Sequence, residues 1–253
     1  PFYTTATYQK LQQLPLSERL VRLRDPEVRA RILSEPPDPD PALVLGRSVR
    51  NFDYMFVLGD SPDYEQPWEL SIAGRAQAKG ITAEELAYDL LLQGERGSSL
   101  YLAMGNYAEG NLDAVGTMLS HPHVVPGLGD GGAHAATICD GSYSTFALTH
   151  WARDRQGRQF SIEEIVKGLS HSTAELMGLR DRGLLAVGKK ADINVIDFNQ
   201  LSLHAPEIKY DLPGNGCRLI QRATGYVATL VNGVPVYRNG EATGALPGRL
   251  VRS

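Results

Sequence analysis

The order of apolar and polar positions changes character three times along the chain. Near the start, Leu20, Val21 and Leu23 follow Ser17, and Asp25-Pro26-Glu27 offers an N-cap, a proline for the first turn and an acid that favours the helix dipole. This predicts two short helices, the second ending near Leu33. The run Glu35 to Pro41 alternates prolines, which remove backbone donors, and reads as a surface connection.

From Phe52 the pattern predicts strands alternating with helices. Tyr54 to Leu58 is an apolar run that stops at Gly59-Asp60-Ser61-Pro62. Thr82-Ala83-Glu84-Glu85 is a capping box that opens a helix through Leu86, Leu90 and Leu91. A second strand, Leu100 to Met104, ends at Gly105-Asn106-Tyr107, and a helix from about Asn111 to Leu119 follows. A third strand, Val124 to Leu128, ends at Gly129-Asp130-Gly131-Gly132. Strand, helix and strand in turn suggest parallel pairing. Further helices are expected near Ser144, at the box Ser161 to Glu164 and at Ser172 to Glu175.

Beyond Leu179 the helical period gives way to short strands: Ile193 to Ile196, Tyr226 to Val231 and Val234 to Tyr237. The Asn232-Gly233 pair between the last two predicts a tight hairpin, because both residues tolerate positive φ. The expected organisation is an α/β body over residues 1–180 followed by a small β segment over 181–253.

Composition narrows the chemistry. The 253 residues are 42% hydrophobic and 21% charged, with a net charge of −4, as in ordinary globular proteins. Lys+Arg 25 against Asp+Glu 29 leaves no basic footprint for nucleic acid. No run approaches the roughly 18 apolar residues of a membrane span, so a soluble, cytoplasmic protein with a small-molecule substrate is expected. Two cysteines, Cys139 and Cys217, build neither a disulfide framework nor a thiol zinc site. The chain opens at Pro1 and its first methionine is Met55, so no initiator residue is visible.

In parallel α/β folds, ligands bind at the carboxyl ends of strands, so the polar residues just after each apolar run are the candidates. Asp130 leads them: the glycines around it allow close approach to a ligand, and its carboxylate could bind a cation or accept a proton from a water. The alternative is a turn aspartate bonded to its own backbone. His134 could contact substrate or orient Asp130, or equally cap the next helix. Asn106 and Tyr107 end the preceding strand and could face the same pocket, although Gly105-Asn106 is also turn chemistry. His121 and His123 precede a strand, which argues for a structural role; His150, His171 and His204 have no partner at ligand spacing. No nucleophile elbow, phosphate loop or dinucleotide turn occurs.

The run Gly127-Leu128-Gly129-Asp130-Gly131-Gly132-Ala133-His134 resembles the amidohydrolase superfamily, and within it the N-acyl-D-amino-acid deacylases (D-aminoacylases). So do His121-Pro122, Thr149-His150-Trp151, Arg182 to Leu185, Gly188 to Asp197 and the tail Gly244 to Arg249. The resemblance implies the C-terminal part of a TIM-like (β/α)8 barrel followed by a small β-sandwich segment. It also implies one or two metal ions, commonly zinc, with Asp130 as the proton-transfer residue and Asn106 and Tyr107 lining the acyl or carboxylate pocket. The substrate class would be N-acyl-D-amino acids or related N-acyl compounds, cleaved at the C–N bond. Most metal ligands of such enzymes lie before the region that resembles Pro1, so an N-terminal segment, another chain or a second copy is expected to complete the barrel. The alternatives are hydrolysis of cyclic amides and a noncatalytic binding or assembly subunit that keeps the fold.

Overall fold

The structure is a computed structural model that describes residues 1–36, 50–95, 97–103, 105–127, 129 and 135–251. The chain divides into two compact units. One comprises Pro1–Gly59 and Asp63–Leu112, the other Asp60–Pro62 and Asp113–Ser253.

In the first unit, α1 (Ala6–Leu11), α2 (Leu16–Leu23) and α3 (Pro26–Ser34) open the chain. The Asp25 carboxylate accepts from the Glu27 and Val28 amides and Pro26 fills the first turn, as the sequence predicts. α1 is additional to the two expected helices, and Ser17 lies inside α2, whose N-cap is Pro15. Strand β1 (Met55–Val57), α4 (Ile72–Lys79), α5 (Ala83–Leu91) and β2 (Leu100–Leu102) complete the unit. The capping box forms: the Glu85 amide donates to Thr82 Oγ1 at 3.2 Å, and the Thr82 amide donates to Glu85 Oε2 at 2.9 Å.

The core of this unit gathers Phe2, Leu23, Ile32, Phe52, Met55, Ile72, Leu86 and Tyr88. Burying each of the larger apolar side chains stabilises by about 1.5–3 kcal/mol. Tyr88 joins the layers, meeting Phe2 edge-on at 5.2 Å and donating its hydroxyl to the Leu23 carbonyl at 2.8 Å.

β1 and β2 pair antiparallel, Met55 opposite Leu102 and Val57 opposite Leu100, which corrects the expected parallel arrangement. Alternation of strands and helices does not fix direction when the connecting segment, here residues 58–99, is long enough to return the chain either way. Among the described residues the strands close no barrel.

The second unit begins with α6 (Asp113–Leu119), close to the expected helix. Residues 124–127, expected to be a strand, are irregular. Pro126 interrupts the run, and a proline has no amide to give a ladder. α7 (Tyr143–Phe146) continues without a break into a π-helical stretch, Ala147–Asp154. α8 (Ile162–Lys167) starts at the capping box Ser161/Glu164 and runs through π-helical Gly168–Ser172 into α9 (Thr173–Leu176). Ser172 therefore caps nothing: its backbone is already helical, and the Thr173 hydroxyl donates to the carbonyls of Leu169 and Ser170.

The β elements of this unit are β3 (Ile193–Ile196), β4 (Ser202–Leu203), β5 (Glu207–Leu212), β6 (Gly216–Ile220), β7 (Ala223–Thr224), β8 (Tyr226–Val231), β9 (Val234–Arg238) and β10 (Glu241–Ala242). β10, β9, β8 and β3 form one sheet in that order. Its β8–β9 turn holds Asn232 at φ 51° and Gly233 at φ 78°, the positive pair the sequence predicts. Arg153 donates to the Phe198 and Leu201 carbonyls, and Thr145 and Tyr226 share a hydroxyl contact at 2.8 Å, so the helix over residues 143–154 packs on the β elements. No described helix is long and apolar enough to cross a membrane.

Candidate functional site

The antiparallel pairing decides what surrounds the end of β2. The Ala103 amide donates to the Tyr54 carbonyl at 2.9 Å, so the residues that enter β1 stand beside those that leave β2. Gly105 (φ 73°) and Asn106 (φ 53°) then turn the chain through two successive left-handed conformations. An open cleft of about 400 Å³ lies at this corner, lined by Asn51, Tyr54, Leu102, Ala103, Asn106 and Tyr107 among others.

Tyr107 is buried, with its ring edge-on to Phe56 and Tyr54 at 6.3 and 6.4 Å. Its hydroxyl donates to the Gln66 carbonyl at 2.7 Å. Burial, and secondarily the Glu65 and Asp63 carboxylates, push the phenol up to about 12. A phenol in that state holds its proton at neutral pH and is no general base there. The Tyr54 hydroxyl is likewise engaged, donating to the Ala108 carbonyl at 2.9 Å. Asn106 is exposed, and its side-chain amide can both donate and accept. The corner therefore presents the Asn106 amide beside two phenols that are both engaged with backbone carbonyls.

The structure thus brings the candidates Asn106 and Tyr107 together in one cleft, while Asp130 and His134 lie outside the described residues. Asn51 and Tyr54 belong to the same lining and escape the sequence reading, which looks only at residues that follow strands. No sequence signal marks them; only the direction of β1 against β2 does.

The remaining histidines are dispersed. His121 and His123 are exposed, their rings 5.4 Å apart, and His121 Nδ1 accepts from the His123 amide. His150 stacks on Phe146 at 4.6 Å, and His171 Nε2 lies 3.6 Å from Glu175. Among the described residues no group of three or more His, Cys, Asp or Glu is arranged to hold a metal ion. The described residues therefore do not fit a zinc centre by themselves.

The family match covers both the β2 corner and the glycine-rich run that follows it. The chain belongs to the Amidohydrolase family, whose model matches residues 85–237. A dihydroorotase of Lactobacillus acidophilus is 29% identical over 136 residues, which are 52% of this chain and 31% of that protein. A dihydroorotase of Lactobacillus gasseri is 29% identical over 137 residues, again 52% of this chain and 31% of the relative. The chain thus spans about a third of the length of these relatives. Among solved structures, a D-aminoacylase variant in complex with copper chloride overlaps 79% of this chain and 38% of its own, at 21% identity and a TM-score of 0.44. A D-aminoacylase crystal structure described as defining a novel subset of amidohydrolases overlaps 70% and 34%, at 23% identity and a TM-score of 0.41. Overlays this loose carry no argument about the site.

Proposed function

We propose that this protein hydrolyses the C–N bond of N-acyl-D-amino acids or related N-acyl compounds in a metal-dependent reaction. The observation that carries the reading is the family match over residues 85–237, which spans Asp130. The substrate class is supported by the likeness of the runs 127–134 and 188–197 to the deacylases. On this reading the Asp130 carboxylate takes a proton from the attacking water and delivers it to the leaving amine. His134 orients that carboxylate or the substrate, and Asn106 and Tyr107 line the substrate's end of the pocket. A bound zinc ion would supply a water activated near neutral pH and a polarised carbonyl. The accompanying architecture is the C-terminal part of a TIM-like barrel over residues 1–180, followed by a β-sandwich segment over 181–253, in a protein that works in the cytoplasm.

A second reading, hydrolysis of cyclic amides, is favoured by the dihydroorotase matches. Both readings are tested by incubating the purified protein with zinc and a panel of N-acyl-D-amino acids, their L-enantiomers and cyclic amides, with release of amine or ring opening as the readout. The first reading expects turnover of the N-acyl-D compounds, lost on chelation and restored by zinc. Turnover of cyclic amides alone would transfer the assignment to the second. Zinc bound without turnover of any amide would leave a noncatalytic binding subunit.

A further inference from the structure

Asn-Gly occurs three times in the sequence, at 215–216, 232–233 and 239–240. In such a pair the backbone nitrogen of the glycine can attack the asparagine side-chain carbon, because no β-carbon on the glycine obstructs the five-membered ring that forms. The attacking nitrogen has to give up its proton, so an amide that donates a hydrogen bond is protected until that bond opens. Two of the three pairs are protected in this way. The Gly216 amide donates to the Pro213 carbonyl, and a β-carbon at 216 would stand 3.2 Å from Leu212 Cβ. The Gly233 amide donates to the Ala191 carbonyl and the Asn232 amide to Asp192 Oδ1, each at 2.8 Å, which ties the β8–β9 turn to the chain leading into β3. Gly240 differs. Among the described residues nothing accepts from its amide, and a β-carbon there would meet nothing within 4 Å. Asn239 and Gly240, both exposed, close the β9–β10 turn at φ 47° and 83°. The Asn239 amide donates to the Val227 carbonyl at 3.0 Å, which holds the residue before the reacting nitrogen and leaves that nitrogen unengaged. β10 is two exposed residues long, so this turn can open while the β8–β9 and β3–β8 pairs stay formed.

We propose that Asn239 is a site of spontaneous deamidation, the one of the three Asn-Gly pairs that the fold leaves reactive. The Gly240 nitrogen, losing its proton to solvent, forms a bond to Asn239 Cγ. The bond from Cγ to the side-chain nitrogen breaks, and that nitrogen leaves as ammonia with a proton taken up from water. One water then opens the succinimide ring at either of its carbonyls, which leaves aspartate or isoaspartate at position 239. Either product adds a negative charge two residues before Glu241. Isoaspartate also routes the backbone through the former side chain and lengthens it by one carbon. A two-residue turn built on paired positive φ does not accommodate that carbon, so β10 comes away from β9. The reaction needs no substrate, and its outcome is separate from the hydrolase reading.

The test incubates the full chain in mildly alkaline buffer, folded and in parallel unfolded in guanidinium, until one of the three asparagines is half converted. Trypsin places them in separate peptides, 210–218, 223–238 and 239–249, whose amide-to-acid conversion is read by mass spectrometry. In the folded chain the 239–249 peptide is expected to convert at least about fivefold faster than either other, the advantage of one amide left without a hydrogen bond. In guanidinium the three should convert at similar rates, since each then presents the same local chemistry. Folded chain converted at 239 should exchange its amide hydrogens faster over residues 237–242, with exchange over 226–231 unchanged. Conversion at 215 or 232 ahead of 239, or equal rates at all three in the folded chain, would overturn the proposal. So would a preference for 239 that survives unfolding undiminished, because it would then belong to the sequence and not to the fold. Unchanged exchange over 237–242 would overturn the release of β10.

Discussion

Tyr107 shows how one side chain can be both a cleft wall and a structural bolt. Its hydroxyl satisfies the Gln66 carbonyl, so Tyr107→Phe leaves that acceptor short of a partner and should cost about 1 kcal/mol, read as a shift of the urea midpoint. The same phenol makes stability pH-dependent. Its value in the folded protein is raised to about 12 from 10.0, so the folded state keeps a proton that the unfolded chain loses. The contribution is complete below pH 10 and disappears as pH rises towards 12. Tyr88, also raised to about 12 by burial, behaves alike. Urea titrations should therefore show an alkaline loss of stability that shrinks in Tyr107→Phe and shrinks further when Tyr88→Phe is added. An unaltered alkaline profile in the double variant would refute this assignment. Asn106 and Tyr107 were legible in the sequence because turn chemistry marks a strand's end. Asn51 and Tyr54 were not, since nothing local tells a residue before one strand that it will face the end of another.

Helix ends test how far a motif can be trusted. Thr82 and Ser161 head true capping boxes, each with an extended backbone that lets the hydroxyl reach the third amide of the helix. Ser172 carries the same spelling, Ser-Thr-Ala-Glu, inside a helix already under way. Thr82→Ala should lower stability by about 1 kcal/mol, whereas Ser172→Ala should stay within about 0.5 kcal/mol of wild type, compared by urea midpoints. Equal losses would show that the third box is real. The π-helical stretches 147–154 and 168–172 leave no mark in the sequence, because the wider hydrogen-bond spacing has no compositional signature and the apolar positions still satisfy a helical pattern. The β5–β6 hairpin, by contrast, has a local signal in the sequence. Glu207, Lys209 and Asp211 alternate with Ile208, Tyr210 and Leu212, the two-residue period of a strand, although most of both faces is exposed. Arg218 holds Asp211 across the pair with two contacts of 2.7 Å.

At the scale of the whole chain, the sequence conveyed the change from helix-bearing segments to short strands and the Asn232-Gly233 turn, but not the direction of β1 and β2. Period and turn residues are local properties, while parallel or antiparallel pairing depends on where a connection of some forty residues delivers the next strand. Family membership came through the glycine-rich run around Asp130 and the run Gly188 to Asp197, both within the matched residues 85–237. Asp130 is where the proposed chemistry is concentrated. Replacing its carboxylate by an amide of nearly the same shape removes the proton acceptor, and turns one acceptor oxygen into a donor, while leaving the volume close to the original. The decisive measurement is kcat of Asp130→Asn on the amide that the wild-type protein hydrolyses with zinc, with thermal unfolding followed in parallel. The account predicts a fall of at least about 100-fold at an unchanged unfolding midpoint. Wild-type turnover by the folded Asn variant would contradict it.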